Sequence, residues 1–329
     1  MSETINSPGS ISIVPGNGIL FQGVVSNSNG ITFEAIQNYW NENSQKVADA
    51  VIKYGYNADV GLIHDLDEPG CMDYVGGLPC DQTYWTTSDS LPTGLILADY
   101  GYAAQSAAIL AKLQSLNAFS APNSGSRYEA YAGYAIVVGN PGDQHSVLMP
   151  PNGSTRICPS DKQNTATHQA PAWGNTSDGK PYKIQADIYS GHGAGTINPN
   201  GPVDVVGPQA IMAWMNGDMP MFTSLVQNLV NRYKASNYVG TGSTWQLGQV
   251  MFCMRIAGLD SSTDFTNMEA LLWSLQSSEG YLPNTYSGVG KPGNGHDPEN
   301  SDAGLLPFST TLINSMKNSF GKFTAGKPK

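Results

Sequence analysis

Three successive stretches in the C-terminal half carry apolar residues at the spacing of a single helix face. Phe222, Leu225, Val226, Leu229, Val230 and Tyr233 trace one face. Leu247, Val250, Met251, Met254 and Ala257 trace the next, up to Gly258, and Phe265, Met268, Leu271, Leu272 and Leu275 the third, up to Gly280. Residues three and four apart share one side of a 3.6-residue helix, so each stripe must be buried against another element. A helix over Val205 to Met215 precedes them, and Asn216-Gly217-Asp218 turns it back as an αα-hairpin. A last helix is expected from Pro298 or Ser301 to Phe320. Nearer the N-terminus, Thr32 caps a helix with Phe33, Ile36, Trp40, Val47 and Val51 on one face, ending at Gly55. Leu91 to Tyr100 and Tyr102 to Leu116 read as two more helices, hinged at Gly101. Alternating short and long loops between such helices suit hairpins set around a closed ring, with the long loops gathered on one face.

The remaining segments read differently. Residues 1–31 are rich in Gly, Ser and Asn, with short apolar runs at Ile11 to Val14 and Ile19 to Val25, an extended segment expected to pack on the outside of a single domain spanning 32–329. Residues 121–183 interrupt that domain as a long loop insertion. YEAYAGYAIVV within it looks like a strand or hairpin, and the Pro-rich remainder reads as loop, a candidate lid. Trp173 there reads first as an anchor on the core, with a platform for stacking sugar as the alternative.

With Lys+Arg 16 against Asp+Glu 26, the net charge of −10 opposes a phosphate backbone, so nucleic acid is not an expected partner. No stretch is apolar for long enough to span a membrane. Low charge, many small polar residues and a pI near 4.8 suit an exported protein that works in acid. Residues 1–30 lack a charged n-region and a long apolar h-region, so a secreted form is expected to begin after a removed signal. Four cysteines fit the same compartment: Cys71 and Cys80 bracket a short loop and are expected to be bridged, and Cys158 and Cys253 either form a second bridge or leave Cys253 as an ordinary buried thiol. No CxxC pair supports zinc, and no EF-hand spacing supports calcium in the Asp65 to Asp81 loop, so no cofactor is expected. Asn152-Gly-Ser and Asn175-Thr-Ser are glycosylation sequons.

The densest chemistry lies in Lys53 to Leu97, which holds Asp59, His64, Asp65, Asp67, Glu68, Asp73, Asp81 and Asp89 although only 13% of the chain is charged. Asp89 follows Tyr84-Trp85 and precedes Ser90-Leu91-Pro92, so it reads either as an active-site carboxylate or as a helix N-cap.

Met268-Glu-Ala-Leu-Leu-Trp-Ser-Leu-Gln-Ser-Ser-Glu-Gly-Tyr-Leu-Pro resembles the repeat unit of α/α-toroid proteins, where a helix ending in Trp-x-x-Gln runs into a Gly-containing turn. The resemblance covers roughly Val203 to Phe320 and, more loosely, Thr32 to Leu116. YNADVGLI followed by YWTTSDSL is similar to uncharacterised archaeal exported proteins. The implied fold is mostly α, an (α/α)-barrel or toroid of helical hairpins with small β pieces and a long central loop. Toroids include many glycoside hydrolases and polysaccharide lyases, and the fold alone does not choose among them.

The expected function is an exported glycoside hydrolase acting on a polysaccharide or oligosaccharide at acidic pH. Such an enzyme needs two carboxyl groups, one protonating the leaving oxygen and one activating water or attacking the anomeric carbon. Asp89 and Glu68 are the first pair, Asp187 in KIQADIYSGHGAG a third candidate, and Glu299 and Asp302 in GHDPENSDAG a fourth set that helix capping also explains. Tyr84, Trp85, His64, Trp245, Tyr281 and Tyr286 are candidate substrate contacts. The alternatives are a polysaccharide lyase, against which scarce Arg argues, and a non-catalytic sugar-binding or cell-surface protein.

Overall fold

A computed structural model describes residues 41–64, 78–85, 90–116, 166–168, 172–185, 187–189, 199–201, 203–215, 218–296 and 298–309. The chain divides into two compact units, Met1–Glu42 and Asn43–Lys329. The expected boundary at residue 31 lies outside the described residues, as do the strands proposed before it and YEAYAGYAIVV. About 57% of the described residues are helical, which makes the protein mostly α with small sheets.

The helices follow from capping and apolar spacing. Helix α1 (Glu42–Ala50) continues as a π-helical turn, Val51–Gly55. Helix α2 (Ser90–Ile96) tightens into a 3-10 turn, Leu97–Tyr100, and the left-handed Gly101 (φ 90°) lets α3 (Ala103–Ser115) start in a new direction. Helix α4 (Val203–Met215) packs on α5 (Met219–Ala235), forming the expected hairpin. Asp218 caps α5 by accepting from Met221 N at 3.2 Å, and Phe222, Leu225, Val226, Leu229, Val230 and Tyr233 are its buried stripe. Ser243 and Ser262 cap α6 (Thr244–Ile256) and α7 (Thr263–Ser274) in the same way.

On α6, Thr244, Trp245 and every residue from Leu247 to Met254 are buried. A helix covered on all sides belongs to the core, and α6 packs against α4, α5, α7 and α8 (Pro298–Leu305). Gly248 permits a close approach to α8, since a Cβ there would strike the backbone of Ala303. The expected last helix is shorter than the sequence suggested. It gives way at Leu306–Phe308 to a 3-10 turn, because Pro307 lacks the N–H that a continuing helix needs, and Ser309 is extended. Residues 310–329 lie outside the description.

Part of the expected central loop is sheet. Strands β1 (Tyr56–Asn57) and β2 (Leu62–Ile63) form a short hairpin. Strand β3 (Thr83–Trp85) pairs in parallel with β6 (Pro181–Gln185), and β6 pairs antiparallel with β5 (Ala172–Asn175), giving the order β3-β6-β5. Strands β4 (Ala166–His168) and β7 (Asp187–Tyr189) pair antiparallel, as do β8 (Tyr286–Gly288) and β9 (Lys291–Pro292). Trp173 is not the core anchor expected: on the edge strand β5 it is 58% exposed. Cys253 is a free, buried thiol whose Sγ lies 3.7 Å from the Gly207 carbonyl oxygen, so it does not bridge Cys158.

Candidate functional site

Where the β1–β2 hairpin meets the β3-β6-β5 sheet, the chain leaves a cleft of about 230 Å³. Asn57 builds one wall. Its Oδ1 accepts from Asp59 N at 3.0 Å and Val60 N at 3.3 Å, an Asx turn that folds the hairpin tip back, with Gly61 left-handed at φ 76°. After β2, His64 bridges to Tyr84 of β3 and donates its backbone N–H to Gly55 O at 3.0 Å. Its Nε2 lies 2.5 Å from Tyr54 O. A carbonyl oxygen only accepts, so Nε2 carries a proton and donates to it.

The opposite wall comes from β6. Tyr182 stands edge-on to Tyr84, centroids 5.9 Å apart at 84°. Its cross-strand partner Gly174 is required there, because a Cβ would fall on the Tyr182 ring. Tyr84 is 1% exposed, and this burial pushes its phenol up to about 12, so the hydroxyl stays protonated. Tyr56 and Tyr182 are only half-buried, which leaves ring surface facing the cleft, and Gln82, Thr176, Lys180 and Asp81 supply the polar lining. Among the described residues Asp81 is the one carboxylate that lines it.

One tie joins the two walls, and a second set of contacts braces Tyr54 from outside the cleft. Asp59 Oδ2 accepts from Ser177 N at 2.8 Å and Ser177 Oγ at 2.5 Å, tying the β1–β2 turn to the β5–β6 turn. The Ser177 hydroxyl, then its backbone N–H, hold the Asp59 carboxyl below its ordinary 3.8. On the other flank the Tyr54 hydroxyl donates to Glu279 at 2.6 Å, the Lys53 ammonium sits 4.5 Å from the Tyr54 ring centre, and Tyr281 packs at 4.9 Å. His296 packs in turn on Tyr281 at 3.9 Å.

The predicted residues separate clearly. His64 and Tyr84 line the cleft, Trp85 is their neighbour on β3, and Tyr281 backs Tyr54. Trp245 and Tyr286, expected to contact substrate, are 8% and 5% exposed within the core, where neither offers a ring face to a ligand. Asp187 lies on β7 opposite His168, and Glu299 and Asp302 lie on α8, none of them in elements that line the cleft. Asp89, Glu68 and Cys71 lie outside the described residues, and Cys80 is buried. Tyr54, Tyr56, Tyr182 and Lys180 were missed. The signal for the last two was present in Trp173-Gly-Asn-Thr-Ser-Asp-Gly-Lys-Pro-Tyr, a strand, a Ser-Asp-Gly turn and a strand.

Comparison with protein-family models, with curated proteins and with solved structures returns no match.

Proposed function

We propose that this protein binds a carbohydrate in the cleft between the β1–β2 hairpin and β6. The observation that carries this reading is the meeting there of half-buried tyrosines, Tyr56 and Tyr182, with the polar groups Asn57, Gln82 and His64. Ring faces match the apolar faces of a pyranose, and a few placed donors and acceptors match its hydroxyls. The volume is below the roughly 300–1,000 Å³ of pockets for drug-sized ligands, so the cleft suits one sugar ring, as a monosaccharide or as one residue of a longer glycan.

Hydrolysis is the reaction proposed for this site. Asp81 is its carboxylate, and Glu68 and Asp89, which follow the cleft residues His64 and Trp85 in sequence, are the candidates for the second. The toroid that the Met268 to Pro283 repeat resembles belongs to the same proposal, although the hub position of α6 is unlike a place in a ring. The test is calorimetric titration of the protein with a panel of neutral and uronate-containing mono- and oligosaccharides, with assays of reducing ends and of unsaturated ends alongside. Binding lost in Tyr182→Ala supports the cleft. New reducing ends, lost in Asp81→Asn, support hydrolysis, ultraviolet-absorbing ends would favour a lyase, and binding without either product would make this a sugar-binding protein. No binding to any member of the panel would overturn the reading.

A further inference from the structure

Trp173 and Asn175 are both exposed, two residues apart on the edge strand β5, in the run Trp173-Gly174-Asn175-Thr176-Ser177. We propose that Asn175 is an N-glycosylation site and that the Trp173 indole is the platform on which its first sugar rests.

Asn175-Thr176-Ser177 fits the acceptor sequence, with no proline at its centre. Residues i and i+2 of a strand project from the same face, about 6.5–7 Å apart along the chain, so the indole and the amide stand side by side. A pyranose joined to the amide can lay its apolar C–H face on the indole, a contact of the kind that makes tryptophan useful where one side is apolar and the other wet. This gives a large apolar side chain, 58% exposed on a sheet edge, something to cover it.

The alternation also sets where the glycan goes. Gly174 pairs with Tyr182 and shares its face, so Trp173 and Asn175 project from the opposite face of β5, while Pro181, the partner of Asn175, and the turn residues Thr176 and Lys180 line the near end of the cleft. In the folded protein the Ser177 hydroxyl donates to Asp59 at 2.5 Å. A transferase that reads this hydroxyl must therefore act before the turn docks on Asp59. In the transfer, Asn175 Nδ2 bonds to the anomeric carbon of an oligosaccharide carried on a lipid pyrophosphate. The bond from that carbon to the phosphate oxygen breaks, the lipid pyrophosphate departs with its electron pair, and the amide gives one proton to the base of the transferase.

The test is to route the full chain through the secretory pathway of yeast and recover it from medium or secretory membranes. Peptide N-glycosidase leaves aspartate at each position that carried a glycan, so peptide mass mapping reads the site directly. Aspartate at 175 is expected, and it should vanish in Asn175→Gln. The glycosylated protein should melt about 2 °C above its enzymatically deglycosylated form. That difference should disappear in Trp173→Ala and persist in Trp173→Phe. An unmodified Asn175 overturns the site, whether or not Asn152 is modified. A melting difference that is absent, or that survives Trp173→Ala, overturns the platform. Peptide mapping reads the glycan without reference to the cleft, so failure of the cleft to bind sugar leaves this proposal standing.

Discussion

Tyr182 owes its place to a side chain that is missing. Gly174 leaves the space into which the ring lies, so Gly174→Ala should push Tyr182 out of its position and weaken saccharide binding about tenfold, the equivalent of ~1.4 kcal/mol. Calorimetric titration of the variant against the parent reads this, and an unchanged affinity in both Gly174→Ala and Tyr182→Ala would remove the tyrosine wall from the site. The Asp59 tie behaves differently, because its carboxyl is held below 3.8. A carboxyl with a depressed folded value contributes stability above its unfolded value and loses it as pH falls through the folded one. The tie is therefore complete at neutral pH, still present near pH 5, and released only below about pH 4. Melting Asp59→Asn beside the parent from pH 7 to pH 3 should show a gap that closes in acid. A gap of constant size would mean that charge has no part in the contact. Of the site residues, His64 and Tyr84 were legible because they lie in a stretch dense with titratable and aromatic groups. Tyr54 and Tyr182 were not, because each looks ordinary until pairing brings them together.

The elements divide by the range of the contacts that make them. Helices α4 to α7 could be read directly, since a stripe recurring every three or four residues and a Ser or Asp at its start are local facts, and the structure places Ser243, Ser262 and Asp218 as the caps. The β3-β6-β5 sheet was hidden because Tyr84 pairs with Ile184, far along the chain, across a segment whose prolines read as loop. Strand pairing at such a separation leaves no mark in either strand alone. Burial of α6 on every side was only half legible: the stripe was visible, but not that Gly248 would meet α8. Alanine is the better helix former by about 1 kcal/mol, yet Gly248→Ala forces α6 and α8 apart and should destabilise by about 1–3 kcal/mol. Ser262→Ala, which removes the acceptor for Phe265 N at 3.2 Å, should cost about 1 kcal/mol. Urea unfolding of both variants separates these outcomes, and a stabilised Gly248→Ala would show that the two helices can part without loss.

At the scale of the molecule, most of the buried apolar residues among those described form a continuous cluster that runs from Val47 on α1 to Phe308 after α8. Cys253 sits within it, fully buried on α6, and burial pushes its thiol up to about 12. Only the thiolate reacts with an alkylating reagent, so at pH 8 this sulfur is doubly protected, by the scarcity of thiolate and by the absence of a path to it. Its labelling must wait for an opening that breaks the α6 core, and such openings approach the global unfolding free energy. Cys253 should therefore stay unmodified by iodoacetamide for hours in the native protein and react within minutes in concentrated urea, with no reductant needed. The bridge proposed between Cys71 and Cys80 should behave in the opposite way, resisting urea alone and yielding only when reductant is added. Position-resolved peptide mapping after each treatment distinguishes the two sulfur environments in one experiment. Rapid native labelling of Cys253 would mean that the helical core opens locally, and labelling of Cys71 and Cys80 in urea without reductant would mean that no bridge joins them.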